Sequence, residues 1–133
     1  MPSSTPAMVV AVIDDDLDVL GSLRFLLQAE GLTVKTYISG PDCLAQLASS
    51  SPDCFIIDYK MDGMDGLQLA QRLRERGQRS PIVLITGYPD EMIEHKVRRA
   101  GIQHVVLKPH IAENLIATVR AATADRDGPG DIR

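Results

Sequence analysis

The sequence has little of what marks a secreted, membrane-bound or nucleic-acid-binding protein. It contains no apolar run of membrane-spanning length, and its first residues have neither the cationic nor the apolar part of a secretory signal. Lys and Arg number 14 against 18 Asp and Glu, so the net charge is -4 and no clustered basic surface is expected. We therefore expect a cytoplasmic protein with no membrane partner and no direct nucleic-acid partner.

Cysteine is also scarce. The two cysteines, Cys43 and Cys54, do not have the Cys-x-x-Cys spacing of a redox or metal motif, and Cys54 lies within an apolar run. We interpret both as reduced residues that serve packing, since free cysteine is among the most buried residue types.

The length and the apolar content indicate one globular domain. Of the 133 residues, 44% are hydrophobic, which is enough to build one stable core. The chain is too short to form two domains. We predict a folded domain over residues 8–122, a flexible N-terminus over 1–7 and a flexible tail over 123–133, where helical periodicity ends.

Five short segments have the patterns of strands. Four are continuous apolar runs, which are typical of parallel strands covered on both faces. The segment 33–38 alternates instead, with Val34 and Ile38 on the opposite face from Lys35 and Tyr37, which predicts an edge strand with one face less buried. The predicted strands cover residues 9–13, 33–38, 54–57, 82–85 and 105–107.

A helical pattern follows each predicted strand. Gly31, Gly77 and Gly101 stand at helix ends, and Ser39 can cap the second helix, which is predicted to run to about Ala48. Strands alternating with helices predict a doubly wound α/β fold with a parallel sheet. An alternating second strand beside apolar neighbours fits the flavodoxin-like strand order 2-1-3-4-5.

Functional side chains follow four of the five strands, and the carboxyl ends of parallel strands share one edge of the sheet. Asp14 and Asp15 follow the first strand, Asp58 ends the third, and Thr86 and Lys108 follow the fourth and fifth. Three ionised carboxylates in one place require a cation, and hard oxygen ligands suit Mg²⁺. A carboxylate beside Mg²⁺, a lysine and a hydroxyl can accept a phosphoryl group.

This set resembles the receiver domain of two-component response regulators over about residues 8–122. The segment 61–66 is similar to the Met-Pro-Gly-Met-Asp-Gly loop of that family. The matching positions are the acidic pair Asp14 and Asp15, the phosphoacceptor Asp58, the hydroxyl residue Thr86, and the lysine Lys108 followed by Pro109.

The resemblance implies a ligand set and partners. Mg²⁺ would be held by Asp15, Asp58 and the backbone carbonyl of Lys60, with Asp14 acting through water. The donor would be a sensor histidine kinase or a histidine phosphotransfer protein. The chain would catalyse only its own phosphorylation and dephosphorylation and would not otherwise be an enzyme. We expect a single-domain regulator that acts on a downstream protein or a second copy of itself, or that drains phosphoryl groups from a relay.

Two positions depart from the family pattern. Asp62 stands where the family loop usually has proline, and Val105 stands where it usually has a Tyr or Phe that reports phosphorylation. By resemblance, Lys60 and Tyr88 flank the path of the hydrolytic water, and the peptide before Pro109 is cis.

Other functions remain alternatives. A pseudo-receiver would keep the fold as a docking module without accepting phosphate, although the complete set of strand-end residues disfavours it. A phosphohydrolase of the aspartate type needs a second Asp two residues after its nucleophile, where this chain has Lys60. A flavin mononucleotide binder needs a phosphate-cradling loop after the first strand, and that loop is acidic here.

Overall fold

A computed structural model describes residues 7–47, 51–87, 91–102, 104–108 and 111–127. Strands and helices alternate along this part of the chain. The strands are β1 Val9–Ile13, β2 Thr33–Tyr37, β3 Cys54–Asp58, β4 Ile82–Thr86 and β5 His104–Leu107. The helices are α1 Leu17–Ala29, α2 Gly40–Gln46, α3 Gly66–Glu75, α4 Glu91–Arg99 and α5 Ile111–Asp127.

The five strands form one parallel sheet in the order β2-β1-β3-β4-β5, which confirms the predicted topology. β1, β3 and β4 lie inside the sheet, and β3 and β4 are buried along their whole length. This burial on both faces is why their sequences are continuously apolar.

Alternate side chains of the sheet point into two hydrophobic layers. On one face, Val10 and Val12 pack with α1 and α5, which contribute Leu23 and Leu115 among others. On the other face, the core includes apolar side chains from β1, β3 and β4 together with Leu69 of α3 and further residues of α2 and α4. The sheet therefore lies between two helical layers. The candidate site lies at the carboxyl ends of the strands.

The edge strand β2 differs from its prediction. It ends at Tyr37, which is 7% exposed and packs with the layer of α2, α3 and α4, whereas Ile38 is 53% exposed. The chain turns at Ile38 because the Asp42 carboxylate accepts its backbone N–H at 3.1 Å and the Ser39 hydroxyl caps α2. The predicted strand was therefore one residue too long, and its aromatic residue is buried. The predicted edge position of β2 is confirmed.

The last helix is longer than predicted. α5 continues through residues 123–127, which were expected to belong to the flexible tail. Ala122 and Thr123 are buried, and the Thr123 hydroxyl donates to the Val119 carbonyl at 2.8 Å. This threonine has a satisfied hydroxyl on the buried face, and the helix continues beyond the point where the apolar periodicity ends. Residues 1–6 and 128–133 lie outside the described part of the chain.

The second helix is shorter than predicted, because α2 ends at Gln46 and Leu47 is its C-cap. None of the helices in the described ranges has both the length and the apolar character needed to cross a bilayer.

Candidate functional site

Strand register brings the predicted strand-end residues to one edge of the sheet. Ile13 pairs with Ile57, so Asp14 follows β1 beside the position where Asp58 ends β3. Asp58 pairs with Ile85, and Thr86 pairs with Leu107, the residue before Lys108. The parallel order therefore aligns all four strand ends, as predicted from the sequence.

Asp58 is buried and has a lysine partner. Its side chain is 4% exposed, and the Lys108 Nζ lies 3.1 Å from its Oδ1. Burial raises the pKa of Asp58 above that of an ordinary carboxyl group, while the Lys108 charge opposes this and the Asp15 charge adds to it. For Lys108, burial lowers the pKa, but the contact with Asp58 together with the charges of Asp14 and Asp16 outweighs burial, and the net pKa is raised. The lysine thus stays cationic beside a carboxylate that is otherwise costly to ionise.

Asp14 is the most buried acid of the cluster. One of its oxygens, Oδ1, accepts the backbone N–H of Asp16 at 2.9 Å. Its other oxygen, Oδ2, is buried without a hydrogen-bond donor among the described residues. Burial is the main cause that raises the pKa of Asp14 to about 6, and the charges of Asp58 and Asp15 add to it. This unpartnered buried oxygen is the feature that a cation or an ordered water would satisfy.

Asp15 lies at the exposed rim of the cluster. Its Oδ2 accepts the backbone N–H of Asp62 at 3.1 Å, which links the loop after β1 to the loop after β3. One ligand oxygen from each of Asp14, Asp15 and Asp58 lies within 4.8 Å of the others. Three carboxylates at this spacing, one with an orphaned buried oxygen, fit a hard divalent cation such as Mg²⁺. Lys60 lies in the adjoining loop, and the role of its carbonyl as a ligand stays a prediction.

Gly66 allows the loop after β3 to return close to the end of that strand. The Gly66 N–H donates to the Tyr59 carbonyl at 2.9 Å. A Cβ at this position would lie 2.5 Å from the backbone oxygen of Asp58 and 3.0 Å from the Tyr59 Cα. The sequence indicated Gly66 only as the end of the family-like segment 61–66, because a close approach of two backbone segments leaves no signal in periodicity.

Two further residues of the site region escaped the sequence analysis. Asp16 caps α1 by accepting the N–H groups of Asp18 and Val19. Asp65 forms a capping box with Gln68 at the start of α3. Both have a sequence signal, an Asp immediately before a helical apolar pattern and, for Asp65, a Gln three residues later. These caps fix where α1 and α3 begin, and so where the two acidic loops end.

Thr86 ends β4 and is buried at the same edge of the sheet. The Tyr59 N–H donates to the carbonyl of Ile85 at 2.8 Å, so the residue after Asp58 is bonded to the residue before Thr86. Thr86 therefore lies on the strand next to the one that ends in Asp58. Tyr88 and Pro109, and with them the predicted cis peptide, lie outside the described residues.

Val105 is 39% exposed on β5. Together with Arg98 and Glu94 of α4 it lines an open groove of about 480 Å³. The position that usually carries an aromatic residue in the family thus has a small side chain beside a groove.

Replacing Asp14 with Asn should stabilise the metal-free protein. The native pKa of about 6 lies above the 3.8 of an unperturbed aspartate, so the folded state binds this proton more tightly than the unfolded state. The cost of ionising Asp14 is absent below the unfolded pKa and grows as pH rises through the native pKa. The variant should gain on the order of 2 kcal/mol at about pH 8 and little at about pH 4.

Urea unfolding in the presence of a chelator measures this gain. Asp62→Asn removes the same charge from an exposed loop position and serves as the control. An equal gain for the two variants, or the same gain at both pH values, would contradict the burial argument.

Comparison with known proteins agrees with the predicted family and fold. The response regulator receiver domain matches residues 10–120. The response regulator protein TodT of Pseudomonas putida is 34% identical over 90% of this chain and 52% of its own length. The transcriptional regulatory protein TdiR of Thauera aromatica is 35% identical over 89% of this chain and 52% of its own length. The chain spans about half the length of these curated relatives.

Solved structures show the same fold. The receiver domain of DrrB, activated with BeF3, is 26% identical with a TM-score of 0.78, over 87% of this chain and 97% of that one. A CheY-like receiver domain protein from Methanospirillum hungatei is 20% identical with a TM-score of 0.84, and the match covers 92% of this chain and 98% of that one. Since the family match covers most of the chain, this protein belongs to the response regulator receiver domain family of two-component systems.

Proposed function

We propose that this chain accepts a phosphoryl group on Asp58 in a Mg²⁺-dependent reaction. The observation that carries the proposal is the buried Asp58 carboxylate, which lies 3.1 Å from the Lys108 ammonium and shares a cluster with Asp14 and Asp15. Membership of the family supports the same reaction. The donor is the phosphohistidine of a sensor histidine kinase or of a histidine phosphotransfer protein.

The transfer exchanges one bond to phosphorus for another. A carboxylate oxygen of Asp58 forms the new P–O bond while the P–N bond to the donor histidine breaks and the nitrogen leaves with the electron pair. The Lys108 ammonium is placed to compensate the charge of the phosphoryl group, and the Thr86 hydroxyl at the adjacent strand end supplies a hydrogen-bond donor.

The metal site would consist of Asp15, Asp58 and the Lys60 carbonyl, with Asp14 acting through water. Bound Mg²⁺ supplies positive charge that offsets the repulsion between the carboxylates and the incoming phosphoryl oxygens. The orphaned oxygen of Asp14 supports its part, because a buried acceptor calls for a water or an ion.

The downstream step is contact with another protein or with a second copy of this chain, or the removal of phosphoryl groups from a relay. Val105 supports a readout that does not depend on an aromatic side chain of β5, since its β-branched side chain is small and has a restricted rotamer. The relatives TodT and TdiR are described as regulators, and this chain matches about half of each.

Incubation with acetyl phosphate tests the proposal directly. Intact-mass measurement should show one added phosphoryl group in the presence of Mg²⁺ and none with excess chelator. Hydroxylamine should remove the label, because an acyl phosphate is labile whereas a phosphoester is not. A chain that binds Mg²⁺ and stays unlabelled, with acetyl phosphate and with kinase alike, would be the pseudo-receiver instead.

A further inference from the structure

The loop after β3 makes a contact with the acidic cluster through its backbone. The Asp62 N–H donates to Asp15 Oδ2 at 3.1 Å, across 47 residues of sequence. The Asp62 side chain is exposed and takes no part in this hydrogen bond, whose donor is the backbone N–H. Any residue with a backbone N–H could donate this bond, and proline is the one residue that could not.

This contact restrains an exposed carboxylate. Asp14 and Asp58 are buried and fixed by packing, whereas Asp15 is exposed at the rim. A hydrogen bond to one carboxylate oxygen limits rotation of the side chain and leaves the other oxygen free for a cation. Partners of this kind orient metal ligands and commonly change metal affinity when they are lost.

The same contact fixes the loop itself. At the base of the loop, Tyr59 bonds to Ile85 and Gly66 bonds to Tyr59, and Met61 is buried. Gly63 provides the turn with a φ of +78°. The Asp62 N–H adds an anchor near the tip, two residues after the carbonyl of Lys60 that the metal site is proposed to use.

We propose that the backbone N–H of Asp62 is a positioning group that orients Asp15 for the divalent cation and holds the loop of Lys60 against the site. This inference rests on the proposed function. It adds a specific source of Mg²⁺ affinity that comes from the main chain and that a proline at position 62 would remove.

A pair of substitutions separates the N–H from the charge. Asp62→Ala removes the carboxylate and keeps the N–H, whereas Asp62→Pro removes both. Isothermal titration of the unphosphorylated protein with Mg²⁺ should give an affinity for Asp62→Ala close to that of the wild type. Asp62→Pro should bind about tenfold more weakly than Asp62→Ala. Thermal unfolding of both variants shows that each is folded before it is titrated.

Hydrogen exchange provides a second readout that needs neither metal nor a proline. Without Mg²⁺, the Asp62 N–H should exchange several-fold faster in Asp15→Ala than in the wild type, because the acceptor is gone. Unchanged exchange would overturn the proposal, as would equal Mg²⁺ affinities of Asp62→Pro and Asp62→Ala. If the wild type binds Mg²⁺ but either of these two results is found, only the positioning role of the Asp62 N–H is overturned and the proposed function stands. If the wild type does not bind Mg²⁺, both the positioning role and the proposed function are overturned.

Discussion

The Asp58→Asn variant should take up no phosphoryl group from acetyl phosphate or from a kinase, at any Mg²⁺ concentration. An asparagine amide has almost the same shape as the carboxylate but lacks the anionic oxygen that forms the new bond to phosphorus. The variant should remain folded. Burial already makes ionised Asp58 costly, and Lys108, which is 38% exposed, can be solvated when its partner is lost.

Asp15→Asn is the informative comparison for Asp58→Asn. It removes one negative charge from the rim of the same cluster and leaves the acceptor carboxylate in place. Its labelling should be slow at low Mg²⁺ and should recover as Mg²⁺ is raised, because a weakened ligand set is compensated by mass action. Asp58→Asn should show no such recovery. Labelling of Asp58→Asn at the wild-type rate would place the acceptor elsewhere in the chain.

The sheet could be predicted because its pattern is simple. β1, β3 and β4 are buried on both faces, so each is a continuous apolar run, and a strand that ends in a carboxylate is visible in the sequence as an abrupt change. Once the strands are parallel, their carboxyl ends must share one edge. That reasoning alone brings Asp14, Asp15 and Asp58 together, as the structure does.

What could not be predicted depends on the path of the backbone. Tyr37 packs in the hydrophobic core and the chain turns directly after it, and the alternating pattern does not encode the position of that turn. The Asp62 N–H is a main-chain group, so no residue type in the sequence signals its contact with Asp15. The end of α5 could not be predicted because residues 123–127 lack the apolar periodicity of the earlier turns of the helix.

Gly66 is needed because its position has no room for a side chain. It begins α3, and Asp65 before it is the N-cap. At this position the N–H must reach the Tyr59 carbonyl while the Asp58 carbonyl passes close to the α-carbon. The site therefore needs a residue with no side chain at the point where α3 and the end of β3 meet.

The Gly66→Ala variant should be substantially destabilised. The new methyl group would lie 2.5 Å from the Asp58 carbonyl oxygen and 3.0 Å from the Leu84 Cδ1, and the closest of these atoms is backbone. A side chain could rotate away, but the carbonyl moves only if β3 or α3 shifts. Overpacking of this kind typically costs about 1–3 kcal/mol, and a backbone clash belongs at the upper end. The shift would displace Asp58, so Mg²⁺ affinity and labelling should fall as well.

Gly21→Ala is the matched control for this loss of stability. Gly21 lies inside α1, and a Cβ there would meet nothing within 4 Å. Alanine favours a helix interior over glycine by about 0.5–1 kcal/mol, so this variant should be slightly more stable than the wild type. Urea unfolding of the two variants should therefore move the midpoint in opposite directions, with labelling reduced only in Gly66→Ala. A Gly66→Ala protein as stable and as readily labelled as Gly21→Ala would show that the chain can open the space between β3 and α3 without disturbing Asp58.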